Sequence, residues 1–360
     1  MGLEEHRKRI DELDEEIIRL INERTRIAVE IGKQKLAVGK TVFDPRREAQ
    51  VFRKVLSLNE GPLKDEALKG IYREIISGNY ALQQTVRIAY LGPAATFSHE
   101  AALKQFGNSM VYVPMSSIND VFAEVHKGEV DYGVIPIENS AEGVVFQSLH
   151  SFDILVGSDL KIVSQVYLPI ILNLISNSPL EEIERVYSKD QAIAQCRGWL
   201  RRHVSRAERV EASSTSEAVR IAAAEEGSAA IASAQAAKEF GLPIIGESIQ
   251  DMNNNVTRFL VIGRKDNSAG PVGEGNDKTS FVLSIPDKPG ALQKCLQPFS
   301  DRNINLVKIE SRPSRMKAWE YWFFVDVIGH IEDGQIQEVY RELQEICPMV
   351  KWLGSYPNIP

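Results

Sequence analysis

Ile10, Leu13, Ile17, Leu20, Ile27 and Ile31 recur at spacings of three and four. That spacing predicts one amphipathic helix over about 3–38. At about 1.5 Å per residue such a helix is roughly 50 Å long, whereas a helical domain of about 80 residues is only about 25 Å across. Something else must cover its ends, most simply a second copy of the chain. Continuing the apolar register reaches residue 24, which is Arg24, and Lys35 follows about three turns later on the same face. Two cations in an apolar seam either snorkel at its edge or face an anion that pairs with them. Arg7 lies about 100° around a straight helix from Arg24 and is placed for a different pocket, the partner's if the helix pairs. Asp44 reads as the N-cap of a second helix with Pro45 in its first turn, and a third helix covers about 64–84.

From Val86 the pattern changes. VRIAYLG, MVYVP and DYGVIPI read as strands, with the helix-like TFSHEAALKQFG and SINDVFAEVHKG between them, and the alternation runs to about Arg264. Such alternation predicts an α/β domain with a largely parallel sheet. Residues 265–277, KDNSAGPVGEGND, read as a linker. The order βαββαβ follows, the split pattern of a ferredoxin-like fold.

Composition narrows the function. A net charge of -7 argues against a general nucleic-acid binder. The three cysteines lie far apart without a CxxC pair, which argues against a disulfide framework and a zinc site and suits a reducing cytoplasm. The histidines show no metal-ligand spacing, so neither a metal nor a cofactor is expected. The N-terminus, MGLEEHRKRIDEL, has no apolar core and is not a signal peptide. The longest apolar run, VYLPIILNLI, is too short to span a bilayer, so no membrane partner is expected.

Several polar stretches sit where the α/β strands should end. GPAATFS (92–98) follows a strand and opens a helix, where backbone N–H groups can bind an anion or Thr96 can simply cap the helix. PIENS (136–140) follows a strand, SST (213–215) opens a helix, and NNNVTRF (253–259) aims a threonine and an arginine into the start of a buried strand. Ligands of open α/β sheets gather at the carboxyl ends of strands, so the stretches together point to a site. Asn253, Asn254 and Asn255 receive no role from the residues alone.

Residues 3–84 resemble the all-helical chorismate mutase domain over RKRIDELDEEII, NERTRIAVEIGKQKL and VFDPRRE. The resemblance implies that Arg24, Lys35 and, from the other protomer of an intertwined dimer, Arg7 grip the carboxylates and ether oxygen of chorismate. It makes Asp44, Arg47 and Glu48 pocket residues and Gln83 a second partner of the ether oxygen. Asn79 stands where serine is frequent. A Claisen rearrangement needs a folded conformer and charge stabilisation at the breaking C–O bond, which fixed cations supply. Glu48 must be protonated, or act through neighbours, to donate to that oxygen.

Residues 86–264 resemble prephenate dehydratase over GPAATFS, VPMSSINDVFAEVHKGEVDYGVIPIENSAEG, AQCRGWL, AAIAS and NNNVTRF. That family has two α/β lobes like a periplasmic binding protein, with substrate in the cleft between them. The resemblance gives binding or catalytic roles to Thr96, Glu138, Asn139, Ser140, Ser188, Gln195, Thr257 and Arg258. Ala95 stands where glycine is usual, and Lys189-Asp190 where a His-Pro pair is common. The expectation is that Arg258 grips a substrate carboxylate and Thr257 donates to the departing hydroxyl.

IPDKPGALQKCL and ESRPSR resemble an ACT regulatory domain of the phenylalanine-sensing kind. The implied effector residues are Gly290, Ala291, Leu292, Asn305, Glu310, Ser311, Arg312 and Pro313; the plainer alternative is a ferredoxin-like domain that only dimerises.

Together the resemblances imply a multidomain chain: a helical mutase domain (1–85), a two-lobed α/β dehydratase domain (86–264), a linker (265–277) and an α+β ACT domain (278–356). The implied function is conversion of chorismate to prephenate and of prephenate to phenylpyruvate, inhibited by L-phenylalanine, in a cytoplasmic dimer or dimer of dimers. An alternative keeps the dehydratase, on prephenate or arogenate, with a weak or regulatory mutase. A third reading is a non-catalytic sensor, against which the two catalytic sets argue.

Overall fold

The structure is a computed structural model describing residues 2–141, 143–145, 153–264, 277–314 and 321–358. The chain forms two compact units, Met1–Val86 with Phe106–Val111, and Arg87–Gln105 with Tyr112–Pro360.

The first unit holds helices α1 (Leu3–Ala37), α2 (Pro45–Ser57) and α3 (Asp65–Gln83). Asp44 caps α2, its carboxylate accepting from Arg47 N at 3.0 Å, with Pro45 in the first turn where no N–H is needed. Phe43 is fully buried, packing against the rings of Tyr80 and Phe106. On α1 only Gly32 is buried, because the Gln83 side chain of α3 occupies the space a Cβ would fill. The apolar seam read from the sequence is therefore largely open: Ile10, Ile17 and Ile27 are 56%, 51% and 58% exposed.

The second unit begins with a sheet ordered β2-β1-β3-β11-β5, built from β1 (Arg87–Leu91), β2 (Val111–Met115), β3 (Tyr132–Asn139), β5 (Lys161–Pro169) and β11 (Val256–Gly263), with β4 (Gly143–Val144) paired to β3. A second sheet, ordered β10-β6-β9-β7-β8, comprises β6 (Asn173–Ile175), β7 (Arg185–Ser188), β8 (Glu208–Glu211), β9 (Ser228–Ala232) and β10 (Ile244–Gly246). The chain leaves the first sheet after β5 and returns at β11, which makes two lobes. The sheets are mixed, not largely parallel. β1–β3, β7–β8 and β7–β9 are parallel, but β11 runs antiparallel to both β3 and β5, and β6 antiparallel to β9 and β10. The two passages between lobes bring strands back in the opposite sense, which local alternation of strand and helix does not reveal.

The C-terminal sheet is ordered β13-β14-β12-β15, from β12 (Asp277–Ser284), β13 (Leu306–Pro313), β14 (Tyr321–Ile328) and β15 (Met349–Pro357), with helices Ala291–Asp301 and Gly334–Ile346 giving the βαββαβ order. Side chains alternate between its faces. Phe281, Leu283, Val325 and Val327 pack with Phe299, Val339 and Leu343 of those helices. Val282, Trp322, Phe324 and Tyr356 pack instead with Ile137, Ile162, Leu260 and Ile262 of the first lobe. Of the expected linker, residues 265–276 lie outside the described residues, and Asp277 opens β12. No helix among the described residues is long and apolar enough to cross a membrane.

Candidate active sites

Three helices converge at one end of the helical unit. Lys35 of α1 pairs with Asp44 at 2.9 Å. Glu48, one turn into α2, is buried and hydrogen-bonded by Tyr80 of α3. Burial pushes its carboxyl up to about 8, against the opposing pull of the Tyr80 hydrogen bond and the Arg73 charge. Glu48 is therefore largely protonated at neutral pH, as donation to an ether oxygen requires. Arg24 has a buried Nη1 without a hydrogen-bond partner, an arrangement costly unless an anion completes it. Asn79 is buried and accepts from Thr25 Oγ1 at 2.8 Å, while Gln83 lies against Gly32. Arg47 points outward to Gln50 at 3.3 Å. Arg7 is exposed beside Glu4. It lies about 25 Å along α1 from Arg24, beyond reach of this pocket.

In the second unit, Thr257 and Asn139 stand opposite each other on β11 and β3. Asn139 Nδ2 donates to Thr257 Oγ1 at 2.8 Å and to Asn255 Oδ1 at 2.7 Å, and Asn255 Nδ2 donates to Gln195 Oε1 at 3.0 Å. Ser140 Oγ donates to Asn254 O and accepts from Val256 N, both at 2.9 Å. The network thus brings Asn139, Ser140, Gln195 and Thr257 together, and adds Asn255, which the sequence reading left without a role. Its signal was position: a buried amide next to a strand end must find partners.

The GPAATFS turn is closed on itself. Thr96 Oγ1 donates to the Leu91 and Pro93 carbonyls at 3.1 and 3.0 Å and accepts from His99 N at 3.4 Å. That is the capping role. Ala95 has φ +60°, which explains why glycine is usual there. It packs among Tyr187, Ala212 and Ala218 of the second lobe, so the turn meets the facing lobe. Ser188 is fully buried and donates to Ile231 O at 2.7 Å, tying β7 to β9.

Arg258 and Glu138 depart from the sequence expectation. Adjacent strand residues face opposite ways, so this pair lies on the far side of the sheet from Thr257 and Asn139. Arg258 is 3% exposed. It donates through Nε to Gln165 (2.9 Å), through Nη1 to Glu138 (2.9 Å) and Asp326 (2.8 Å), and through Nη2 to Tyr356 (2.9 Å). With these donors committed to carboxylates, an amide and a phenol of its own chain, it is not placed to grip a substrate carboxylate. Glu138 also pairs with Lys308. Burial pushes Glu138 up, but Lys308 and Arg258 together hold it below the usual carboxylate range. Lys278, at the edge of this cluster, is lowered to about 8 by burial and by Arg258.

At the C-terminal domain, Gly290 has φ +76° at the start of helix Ala291–Asp301, a conformation that favours glycine. Ala291 joins the domain core, whereas Leu292 and Asn305 are exposed. On β13, Glu310 is half-buried and Arg312 buried, the latter pairing with Asp153 at 3.2 Å, while Ser311 and Pro313 are exposed on the other face. No cluster of metal-ligating side chains occurs among the described residues.

Comparison with known proteins agrees with this architecture. The family model for chorismate mutase type II matches residues 6–84, that for prephenate dehydratase residues 88–267, and that for the ACT domain residues 279–345. The chain is 46% identical to the bifunctional chorismate mutase/prephenate dehydratase of Aquifex aeolicus, over 99% of this chain and 98% of that protein. It is 44% identical to the protein of the same name from Stutzerimonas stutzeri, over 98% and 96%. The crystal structure of prephenate dehydratase in complex with L-Phe from Arthrobacter aurescens superposes with a TM-score of 0.70 at 34% identity, over 76% of this chain and 92% of that one. With nearly full-length coverage on both sides and three family matches in the same order, the chain belongs to the family of bifunctional chorismate mutase/prephenate dehydratases.

Proposed function

We propose that the helical unit rearranges chorismate to prephenate, that the α/β lobes convert prephenate to phenylpyruvate, and that L-phenylalanine acting on the C-terminal domain inhibits the chain. The observation that carries the mutase assignment is the pocket at Lys35, Asp44 and Glu48, with the unpartnered Arg24 nitrogen beside it in sequence register. Arg24 and Lys35 hold the anionic groups, and Glu48, protonated, donates to the ether oxygen with Gln83 as the second donor. Asn79 and Asp44 frame the pocket, while Arg47, exposed and bonded to Gln50, lies at its outside. No proton changes owner, so fixed charge and a folded substrate conformer do the catalysis.

In the dehydratase reaction, loss of CO2 and the ring hydroxyl gives an aromatic ring, and the protein assists the departing hydroxyl. Thr257 Oγ1 accepts from Asn139, and its own proton is assigned to the departing hydroxyl. Asn139, Ser140 and Gln195 are assigned to the same site. Thr96 and Ser188 shape it through the backbone. The effector is assigned to Gly290, Ala291, Leu292 and Asn305 with Glu310 to Pro313.

Arg7 completes the mutase pocket of a second copy. The open seam on α1 supports this, and the resulting assembly is a dimer or dimer of dimers. The domain limits 1–85, 86–264 and 278–356 are retained as the assignment. A cytoplasmic setting is retained on the wide sequence spacing of the three cysteines and the lack of a CxxC pair. The test is incubation with chorismate, following its loss and phenylpyruvate formation with and without phenylalanine. No chorismate consumption overturns the mutase assignment, and no phenylpyruvate from added prephenate overturns the dehydratase assignment.

A further inference from the structure

The buried ion cluster behind the dehydratase strand pair has no part in the chemistry above. Its members come from both sheets. Arg258 and Glu138 belong to β11 and β3, Asp326 to β14 and Lys308 to β13. Tyr356 and Ser280 close it, Ser280 Oγ donating to Asp326 Oδ1 at 2.6 Å and hydrogen-bonded to the Tyr356 hydroxyl at 2.7 Å. Asp326 therefore has both carboxylate oxygens occupied, one by Ser280 and one by Arg258.

The cluster lies beside a register shift between β11 and β3. β11 and β3 pair Thr257 with Asn139 and Arg258 with Glu138, and the register then shifts between Arg258 and Phe259. A bulge interrupts regular pairing and re-aims nearby side chains. The two residue pairs beyond it lie next to the strand ends. β11 continues there in regular pairing with β5, and β3 with β4, so the backbone is held on both sides and the bulge bears on how the side chains of the two pairs are aimed. On the far face, the Arg258 and Glu138 side chains are fixed by the cluster. We propose that Lys308 and Asp326 are positioning residues for the dehydratase reaction: by fixing the Glu138–Arg258 pair they hold the adjoining Asn139–Thr257 pair in place for the substrate.

β13 gives the arrangement a second consequence. Lys308, Glu310 and Arg312 share the inward face of that strand, and Arg312 is anchored to Asp153. The strand that carries the assigned effector stretch therefore also carries a direct ion pair to Glu138, the residue next to Asn139.

This inference rests on the dehydratase assignment, and the test separates the two. Steady-state kcat and KM for prephenate are measured on the full chain for wild type, Lys308→Met, Asp326→Asn and Lys308→Arg, with mutase turnover of the same samples and thermal melting as fold controls. Misplacing a catalytic group by about 1 Å costs on the order of 10²-fold. The expected result is a fall in kcat of about 10-fold or more for Lys308→Met and Asp326→Asn, KM within about twofold, and recovery of most of the loss in Lys308→Arg. Lys308→Gln repeats the measurement if Asp326→Asn lowers the melting temperature. Wild-type kcat in both charge-removing variants overturns the inference, as does a change confined to KM, which would mean contact with substrate. A wild-type chain that does not turn over prephenate overturns the dehydratase assignment itself.

Discussion

Thr257 and Arg258 are neighbours in sequence but serve opposite faces of one sheet, Thr257 bonded to Asn139 at 2.8 Å and Arg258 ion-paired to Glu138 at 2.9 Å. The tripeptide that looks like one functional unit is thus divided by strand geometry into a group facing the Asn139, Asn255 and Gln195 network and a group facing the C-terminal sheet. Thr257→Ala removes the hydroxyl and leaves Asn139 to find another acceptor. Dehydratase kcat is expected to fall by about 10²–10⁴-fold, the usual worth of a positioned proton donor. Mutase turnover of the same sample should stay at the wild-type level. Thr257→Ser, which keeps the hydroxyl, should retain more of the activity than the alanine variant; if the alanine variant turns over prephenate at the wild-type rate, the donor is another group.

Arg258→Met tests the other face. The substitution keeps much of the side-chain volume but leaves Asp326, buried, without its cation. Breaking a buried pair by removing one partner costs about 3–5 kcal/mol. The second unit should therefore melt earlier and unfold at lower denaturant. A substrate ligand at this position would instead show an unchanged melting curve and a large rise in KM.

How much of this was legible in the sequence follows from the range of each interaction. The long first helix, the α/β alternation and the βαββαβ order are local patterns, and all appear in the structure. Asp44 as a cap needed only the next three residues. Glu48 and Thr257 came through resemblance; the structure adds the burial that raises the Glu48 carboxyl and the Asn139 hydrogen bond to Thr257. The partners of Arg258 were hidden because Asp326 lies 68 residues away, and Lys308, which meets Glu138, lies 170 residues from it. No periodicity links residues at that separation. The mixed strand directions were missed for the same reason, since the return of β11 beside β3 is a long-range event. Asn255 carried only its position before the strand, and its role appears once Asn139 and Gln195 stand on either side of it.

The raised carboxyl of Glu48 fixes the sign of a pH dependence. Donation to the ether oxygen needs the protonated form, which is present below about 8 and lost as pH rises through that value. Mutase kcat should therefore decline above about pH 8. Glu48→Gln keeps an N–H donor that does not titrate, so its profile should be flat across that range. A wild-type profile that instead rises through the same pH would mean that the carboxylate, and not the acid, is the active form.

Ala95 offers a test of backbone strain in the turn that meets the second lobe. An L-residue at φ +60° carries about 1–2 kcal/mol of steric cost. Ala95→Gly relieves it, but removes a buried methyl worth about 0.8 kcal/mol and adds about 0.4–1 kcal/mol of unfolded-chain entropy. These nearly cancel, so the variant should lie within about 1 kcal/mol of wild type, which accounts for alanine being tolerated. Ala95→Val has no such balance. It adds a β-branched side chain at positive φ and two methyl groups in a site only 1% exposed. It should lose about 2 kcal/mol or more in chemical denaturation.

The open seam of α1 carries the last prediction. Ile10, Ile17 and Ile27 are each more than half exposed on one copy. Covering a side chain of that size is worth about 1.5–3 kcal/mol, so a second α1 laid along the seam recovers several kcal/mol from a few residues. The same pairing would carry the partner's Arg7 toward the Arg24 pocket, which Arg7 of the same chain cannot reach. Ile17→Lys places a charge in the middle of the seam without touching the pocket residues. Mutase turnover should drop sharply with a shift to smaller species at the helical unit, while Arg7→Ala should lower mutase turnover without changing the assembly. Mixing Arg7→Ala with Arg24→Ala chains then distinguishes the arrangements. If each pocket takes its Arg7 from the partner, a mixed pair has one pocket with both arginines and one with neither, so mixing restores part of the activity. If Arg7 acts within its own chain, every pocket in the mixture lacks one arginine and no activity returns. The readout is turnover of the mixture after chain exchange, and absence of recovery despite exchange would mean that Arg7 does not act in the partner's pocket.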